Sequence, residues 1–186
     1  MCHTGRIISF KLVTPEDLPL ILKWYLEPHV QEWYSFDEPG TMEGVEEKFG
    51  DIFSGEDSVL AYLMEFDGAP IGYIQAYWIG DHVEYAQALQ VEPRSVGVDL
   101  FIGDPDHVHR GLGNVILRQF VQEVVFQQMG AKFCVIGPEV GNKIAIRAYE
   151  RAGFRYLKTV NVPGERAPEY LMICERDIDL DSSPRI

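Results

Sequence analysis

The chain has 186 residues, the size of one domain on the usual prior of roughly 100–200 residues. It carries 16 lysines and arginines against 29 aspartates and glutamates, a formal net charge of −13 with histidines neutral. That surplus repels phosphate backbones and anionic lipid, so nucleic-acid and membrane partners are disfavoured, while 46% hydrophobic and 12% aromatic residues exclude an acidic disordered chain.

Arg6–Val13 is rich in β-branched and aromatic residues and predicts a strand. Thr14 then stands as a helix cap, with Pro15 at the first helical position and two acids at the positive end of the dipole. Leu18, Ile21, Leu22 and Tyr25 recur at helical spacing until Glu27-Pro28. An aromatic and acidic loop follows, and a second capped helix starts at Thr41, with Val45, Phe49, Ile52 and Phe53 on one face. Ser58–Phe66 and Ile71–Ile79 flank Asp67-Gly68-Ala69-Pro70 and predict a hairpin. Gly80–Arg94 is polar and suggests no regular element, Val96–Gly103 reads as a strand, and an apolar-periodic helix runs from about Leu112 to Met129, with Gly130 as its stop. Lys132–Ile136 is a short strand, Asn142–Ala152 a helix, and Phe154–Val162 and Glu169–Cys174 the last two strands. The expected fold is α/β of the α+β type: a mixed, mainly antiparallel sheet of six to seven strands flanked by helices, in one domain with short flexible ends at about 1–5 and 178–186.

The cysteines, Cys2, Cys134 and Cys174, show no CxxC spacing, and the last two lie in apolar runs, as buried thiols of a cytoplasmic protein do. No signal-type segment and no apolar run of the ~18 residues a membrane helix needs is present, so a soluble, unexported protein is expected. His82, His107 and His109 lack metal-ligand spacing with any cysteine pair, and no metal is expected.

Chemistry concentrates where the strand ending at Gly103 gives way to Val108-His109-Arg110-Gly111-Leu112-Gly113-Asn114 and then a helix. Two glycines one residue apart at a strand-to-helix turn let successive backbone N–H groups converge on an anion beside the positive helix end. Alone, the pattern is equally that of a tight turn. No Gly-Lys-Ser/Thr follows, which excludes a P-loop, and the third glycine of a dinucleotide fingerprint is absent. About thirty positions downstream stands Asn142-Lys-Ile-Ala145-Ile-Arg147-Ala-Tyr149-Glu150-Arg-Ala-Gly153-Phe154. Together the two segments resemble the acetyl-CoA-binding core of the GCN5-related N-acetyltransferase (GNAT) superfamily. The resemblance implies that the loop holds the coenzyme's pyrophosphate and that the second helix lines its other side. One departure is Val108, where the family usually has Gln or Arg; His109 and Arg110 supply the positive character.

Leu20–Trp24, Val30-Gln-Glu-Trp33-Tyr34, Pro70–Tyr77 and Gly97–Pro105 extend the resemblance to aminoglycoside 6'-N-acetyltransferases, from about Phe10 to Met172. The departures there are Leu100, where many members have a polar residue, and Gly137-Pro138, where several have Asp-Pro. The resemblance implies direct acetyl transfer from acetyl-CoA to the 6'-amino group of a polycationic antibiotic in a ternary complex, conferring resistance. Asp99, a carboxylate within an apolar strand, is the candidate base, or else an acid that faces solvent or pairs with a cation. Tyr149 is the candidate proton donor to the thiolate, or else only packs against the coenzyme. Leu100, Phe101, Ile102, His109, Arg110, Gly111, Leu112, Gly113, Asn114, Asn142, Ala145 and Tyr149 are expected to bind the coenzyme. Trp33, Tyr34, Asp37, Gln75, Tyr77, Glu84, Asp99 and Glu139 are expected to bind the acceptor, with Glu38 and Asp81 as further acids of the loops. Two other readings stay open: transfer to another amine, such as a polyamine, a siderophore precursor or a protein N-terminus, and a non-catalytic acyl-CoA-binding module. A monomer and a homodimer are equally compatible with the sequence.

Overall fold

The computed structural model describes residues 7–34 and 40–176. The described chain opens with β1 (Ile8–Leu12), and Thr14 caps the next turn as expected; the cap is a capping box, with Asp17 Oδ2 accepting from the Thr14 backbone N–H at 2.9 Å. The 3-10 turn Pro15–Asp17 leads into α1 (Leu18–Tyr25), which buries Leu18, Ile21, Trp24 and Tyr25. Pro28 does not merely end that helix. Its fixed φ suits a first helical position, and it opens a short helix α2 (Pro28–Gln31) that buries Val30. Helix α3 (Met42–Ser54) is capped by Thr41, whose hydroxyl accepts from Gly44 N.

Strands β2 (Leu60–Phe66) and β3 (Ala69–Trp78) form the hairpin across Asp67 and Gly68, both at positive φ. The polar stretch after β3 does contain an element: α4 (Val83–Leu89), held by Leu89, which is wholly buried, and by Tyr85 and Ala86 on the same side. Next come β4 (Val96–Ile102), α5 (Leu112–Phe120), β5 (Phe133–Ile136), α6 (Lys143–Ala152), β6 (Arg155–Val160) and β7 (Glu169–Glu175). The helix after the glycine turn runs its expected length, but it changes to π-type bonding over Val121–Gln128.

The seven strands form one mixed sheet in the order β1-β2-β3-β4-β5-β7-β6, antiparallel throughout except between β4 and β5. Strand alternation divides β3 and β4 between two cores. Ile74, Ala76, Val96 and Val98 pack against Ile116, Leu117 and Phe120 of α5. Tyr73 and Phe101 face α1 and α3 instead, with Trp24, Tyr25 and Phe49. Each fully buried large side chain of these cores contributes about 1.5–3 kcal/mol. No helix among the described residues is long and apolar enough to cross a membrane.

Candidate active site

The parallel pair β4 and β5 is joined at only two positions, Val96 opposite Cys134 and Gly97 opposite Val135. Beyond them the strands part, and their carboxyl ends open a cleft of about 860 Å³, within the range of small-molecule sites. Leu100, Phe101 and Ile102 line it from β4, and Ile136, Gly137, Pro138 and Glu139 from β5 and its continuation.

One end of the cleft is the glycine turn, where His109, Gly111, Leu112, Gly113 and Asn114 all line the wall. His109 and Gly111 have φ of 60° and 73°, on either side of Arg110, so the loop is held in a left-handed shape immediately before α5. A Cβ built on Gly113 would meet nothing within 4 Å, and its φ is not positive. Neither packing nor backbone strain therefore calls for glycine there, and its bare backbone lies open to the cleft. Across the cleft, α6 presents Ala145, Ala148 and Tyr149 and buries Ile146 and Ala152 on its other side. Asn142 lines the cleft and also caps α6, its Oδ1 accepting from Ala145 N at 3.0 Å. Arg110 is exposed and is not among the lining residues; Arg151, from the end of α6, is. Gly103 N donates to Ile71 O, so by strand alternation Phe101 turns its backbone to Tyr73 of β3 and Leu100 and Ile102 turn theirs to the cleft edge; the Ile102 carbonyl is engaged by His29 Nε2 at 3.0 Å.

The other end is acidic and aromatic. Asp99 stands opposite Gln75 in the β3–β4 register, and Gln75 Nε2 donates to Asp99 Oδ2 at 2.8 Å. The Tyr73 hydroxyl in turn donates to Gln75 Oε1 at 2.7 Å, which fixes the amide's orientation. Burial raises Asp99 above its ordinary range, opposed by Gln75, by Tyr77 and by the charges of Lys48 and His82. Tyr149 is also raised by burial, with a contribution from the Asp99 charge, so its hydroxyl keeps its proton at neutral pH.

Trp33, Tyr34, Gln75, Tyr77 and Glu139 line the same cleft. Trp33 is exposed at the rim. Tyr34 is anchored in the aromatic core, 4.7 Å from the Phe101 ring centroid. Glu139 is paired with Arg166, which also reaches the Glu32 carbonyl and so ties two loops together across the mouth. Glu84 is exposed on α4 and does not line the cleft, because that helix turns the next residue, Tyr85, inward. Asp81 belongs to a separate surface hollow, and Asp37 and Glu38 lie outside the described residues. Sequence reasoning passed over Tyr85 and Glu169 and weighed His82 only as a metal ligand; all three line the cleft. His82 Nε2 is buried without a hydrogen-bond partner among the described residues, beside the Tyr77 ring. Glu169 carries a weaker form of the signal that singled out Asp99, a carboxylate at the head of the apolar run 170–174.

The sheet parted between two parallel strands, the glycine cradle and the facing α6 define an acyl-CoA-dependent transferase. The acetyltransferase (GNAT) domain family matches residues 14–162, and the chain belongs to that family. It is an acyltransferase whose acyl donor is acetyl-CoA. Over 162 residues the chain is 29% identical to aminoglycoside N(6')-acetyltransferase type 1 of Klebsiella pneumoniae, covering 87% of this chain and 80% of the relative. A solved structure of AAC(6')-Ib in complex with paromomycin and acetyl-CoA superposes with a TM-score of 0.77 at 28% identity, covering 91% of this chain and 93% of that one. The chain is also 24% identical over 170 residues to the lysine N-acyltransferase MbtK of Mycolicibacterium paratuberculosis, covering 91% of this chain and 75% of the relative. Among the described residues, no cluster of three or more His, Cys, Asp or Glu is placed to hold a metal ion.

Proposed function

We propose that the protein acetylates the 6'-amino group of aminoglycoside antibiotics by direct transfer, and that cells carrying it resist 6'-amino drugs. The observation that carries this reading is the continuity of the cleft. One cavity runs from the glycine turn and α6 to Asp99, Gln75, Tyr77 and Trp33, so donor and acceptor meet without a relay. No cysteine among the described residues lines it, which favours direct transfer over a covalent acyl-enzyme. The acids and aromatic rings of the acceptor end suit a substrate with several ammonium groups on sugar rings.

The thioester supplies an electrophilic carbonyl carbon and a leaving thiolate. Asp99, held by Gln75 and raised by burial, takes a proton from the acceptor ammonium, directly or through water. The neutral nitrogen then forms its bond to the carbonyl carbon as the carbon–sulfur bond breaks; Tyr149 gives a proton to the thiolate and regains one from the acylated nitrogen, which leaves the neutral amide, and Asp99 releases its proton to solvent. Arg151, Asn142 and the N–H groups of Gly111–Asn114 would hold the coenzyme, with Leu100 offering strand backbone to its arm and Phe101 only its position in the wall.

Acylation of a lysine side chain is a second reading, favoured by the likeness to the mycobacterial lysine N-acyltransferase. A panel of kanamycin, an analogue bearing a 6'-hydroxyl, spermidine and free lysine, followed by thiol release, separates the two. Turnover of kanamycin with none of the hydroxyl analogue supports the first reading. Turnover of lysine without kanamycin overturns it.

A further inference from the structure

At the start of β7, Glu169 is 8% exposed yet lines the cleft. It is placed there by pairing that continues past β5, with Tyr170 N donating to Pro138 O at 2.7 Å and Val140 N to Pro168 O at 3.0 Å. The carboxyl group lies over Gly137, where a Cβ would stand 2.7 Å from Glu169 Cδ and collide with Oε2. Gly137 therefore leaves the space in which the acid sits. Oε2 accepts from the Tyr85 hydroxyl at 3.1 Å, while Oε1 has no hydrogen bond and Glu169 no ion pair among the described residues. Glu139, its backbone neighbour in the bridge, is by contrast already paired with Arg166. A buried carboxyl with one neutral donor, open to a cavity, stays protonated until a cation arrives there to pair with its ionised form.

We propose that Glu169 is a specificity-determining residue of the acceptor site, binding through Oε1 an ammonium group of the substrate other than the one acetylated, with Tyr85 as its positioning residue. This rests on the reading of the acceptor as a polyamino sugar. Burial pushes the Glu169 carboxyl up to about 8, the state expected of an acid without its partner. A substrate ammonium beside it favours the ionised form, so the site rewards acceptors with a second cationic group and ignores those with one.

Glu169→Gln preserves shape and the Tyr85 contact and removes the capacity to ionise beside a substrate ammonium. Steady-state kinetics at neutral pH with kanamycin and with a sugar bearing a single amine test the idea. In Glu169→Gln the KM for kanamycin rises about tenfold, the loss of one charge-assisted hydrogen bond, with kcat and the KM for acetyl-CoA unchanged and no effect on the monoamine. Tyr85→Phe raises the same KM by a smaller factor, again without change in kcat. An unchanged kanamycin KM in Glu169→Gln, or an equal rise for the monoamine, overturns the role of Glu169 while leaving the substrate class intact. Failure of the wild-type enzyme to acetylate kanamycin overturns the substrate class, and this proposal with it.

Discussion

Gln75 and Asp99 are cross-strand partners on the cleft face of β3 and β4, joined by a hydrogen bond of 2.8 Å. The pair sets both the position and the acidity of the candidate base. Asp99→Asn keeps the geometry and removes proton acceptance, so kcat is expected to fall by about 10²-fold or more, with little change in the KM for acetyl-CoA. The wild-type kcat/KM should rise with pH through an ionisation above the ordinary aspartate value of 3.8, because only the ionised form is a base. That limb should be missing from the variant's pH–rate profile, and its survival would assign the base elsewhere.

Gln75 acts through Asp99 and predicts a different signature. Its amide donates to the carboxylate and so favours the ionised form against the cost of burial. In Gln75→Leu that help is lost, and the apparent ionisation of Asp99 moves to higher pH. The measurement is again a pH–rate profile: the ascending limb shifts upward, and activity partly recovers at alkaline pH. A uniform loss at every pH would indicate a purely structural role.

Much of this arrangement was legible before the fold was known. The seven strands announce themselves by β-branched and aromatic runs, and the glycine turn stands where a strand gives way to a helix. Helix α4 was not legible, because one short polar segment with Leu89 as its only fully buried residue carries too little periodicity. The π-type bonding after Phe120 leaves no mark in the side-chain pattern. Among the site residues, Asp99 stood out as an acid in an apolar strand, but its partner was hidden until the β3–β4 register put Gln75 across from it. Tyr85 and Glu169 lie 84 positions apart and meet only because β7 joins the sheet beside β5. Glu84 was the natural candidate in that segment by charge alone, and one step around a helix separates it from the cleft.

The two loop glycines should behave differently on substitution. Gly111 has φ of 73°, so Gly111→Ala places a side chain in left-handed backbone and costs about 1 kcal/mol. Gly113 lies within α5 with open space around it, and alanine there improves helix propensity. Gly113→Ala is therefore expected to hold or raise the melting temperature while raising the KM for acetyl-CoA, since the new methyl group occupies the ligand's path. A thermal melt and an acetyl-CoA titration on the same sample check this. Unchanged coenzyme affinity would reduce the Gly-x-Gly segment to a turn.

Glu169 should leave a trace in stability as well as in binding. Its carboxyl faces the Tyr85 hydroxyl from α4 and feels the charges of Asp99 on β4 and Glu165 on the preceding loop, and burial pushes it from 4.5 up to about 8. The native state thus holds a proton that the unfolded chain has already released above pH 4.5. By linkage, this group's contribution to stability is greatest below the unfolded value and falls as pH rises toward about 8, at most on the order of 1 kcal/mol per pH unit, and no further above it. Glu169→Gln removes that titration, so the variant's melting temperature should depend less on pH between about 5 and 8 and should exceed that of the wild type at pH 9. Melts in matched buffers across that range test it. Parallel curves for the two proteins would show that the carboxyl is already ionised in the free enzyme.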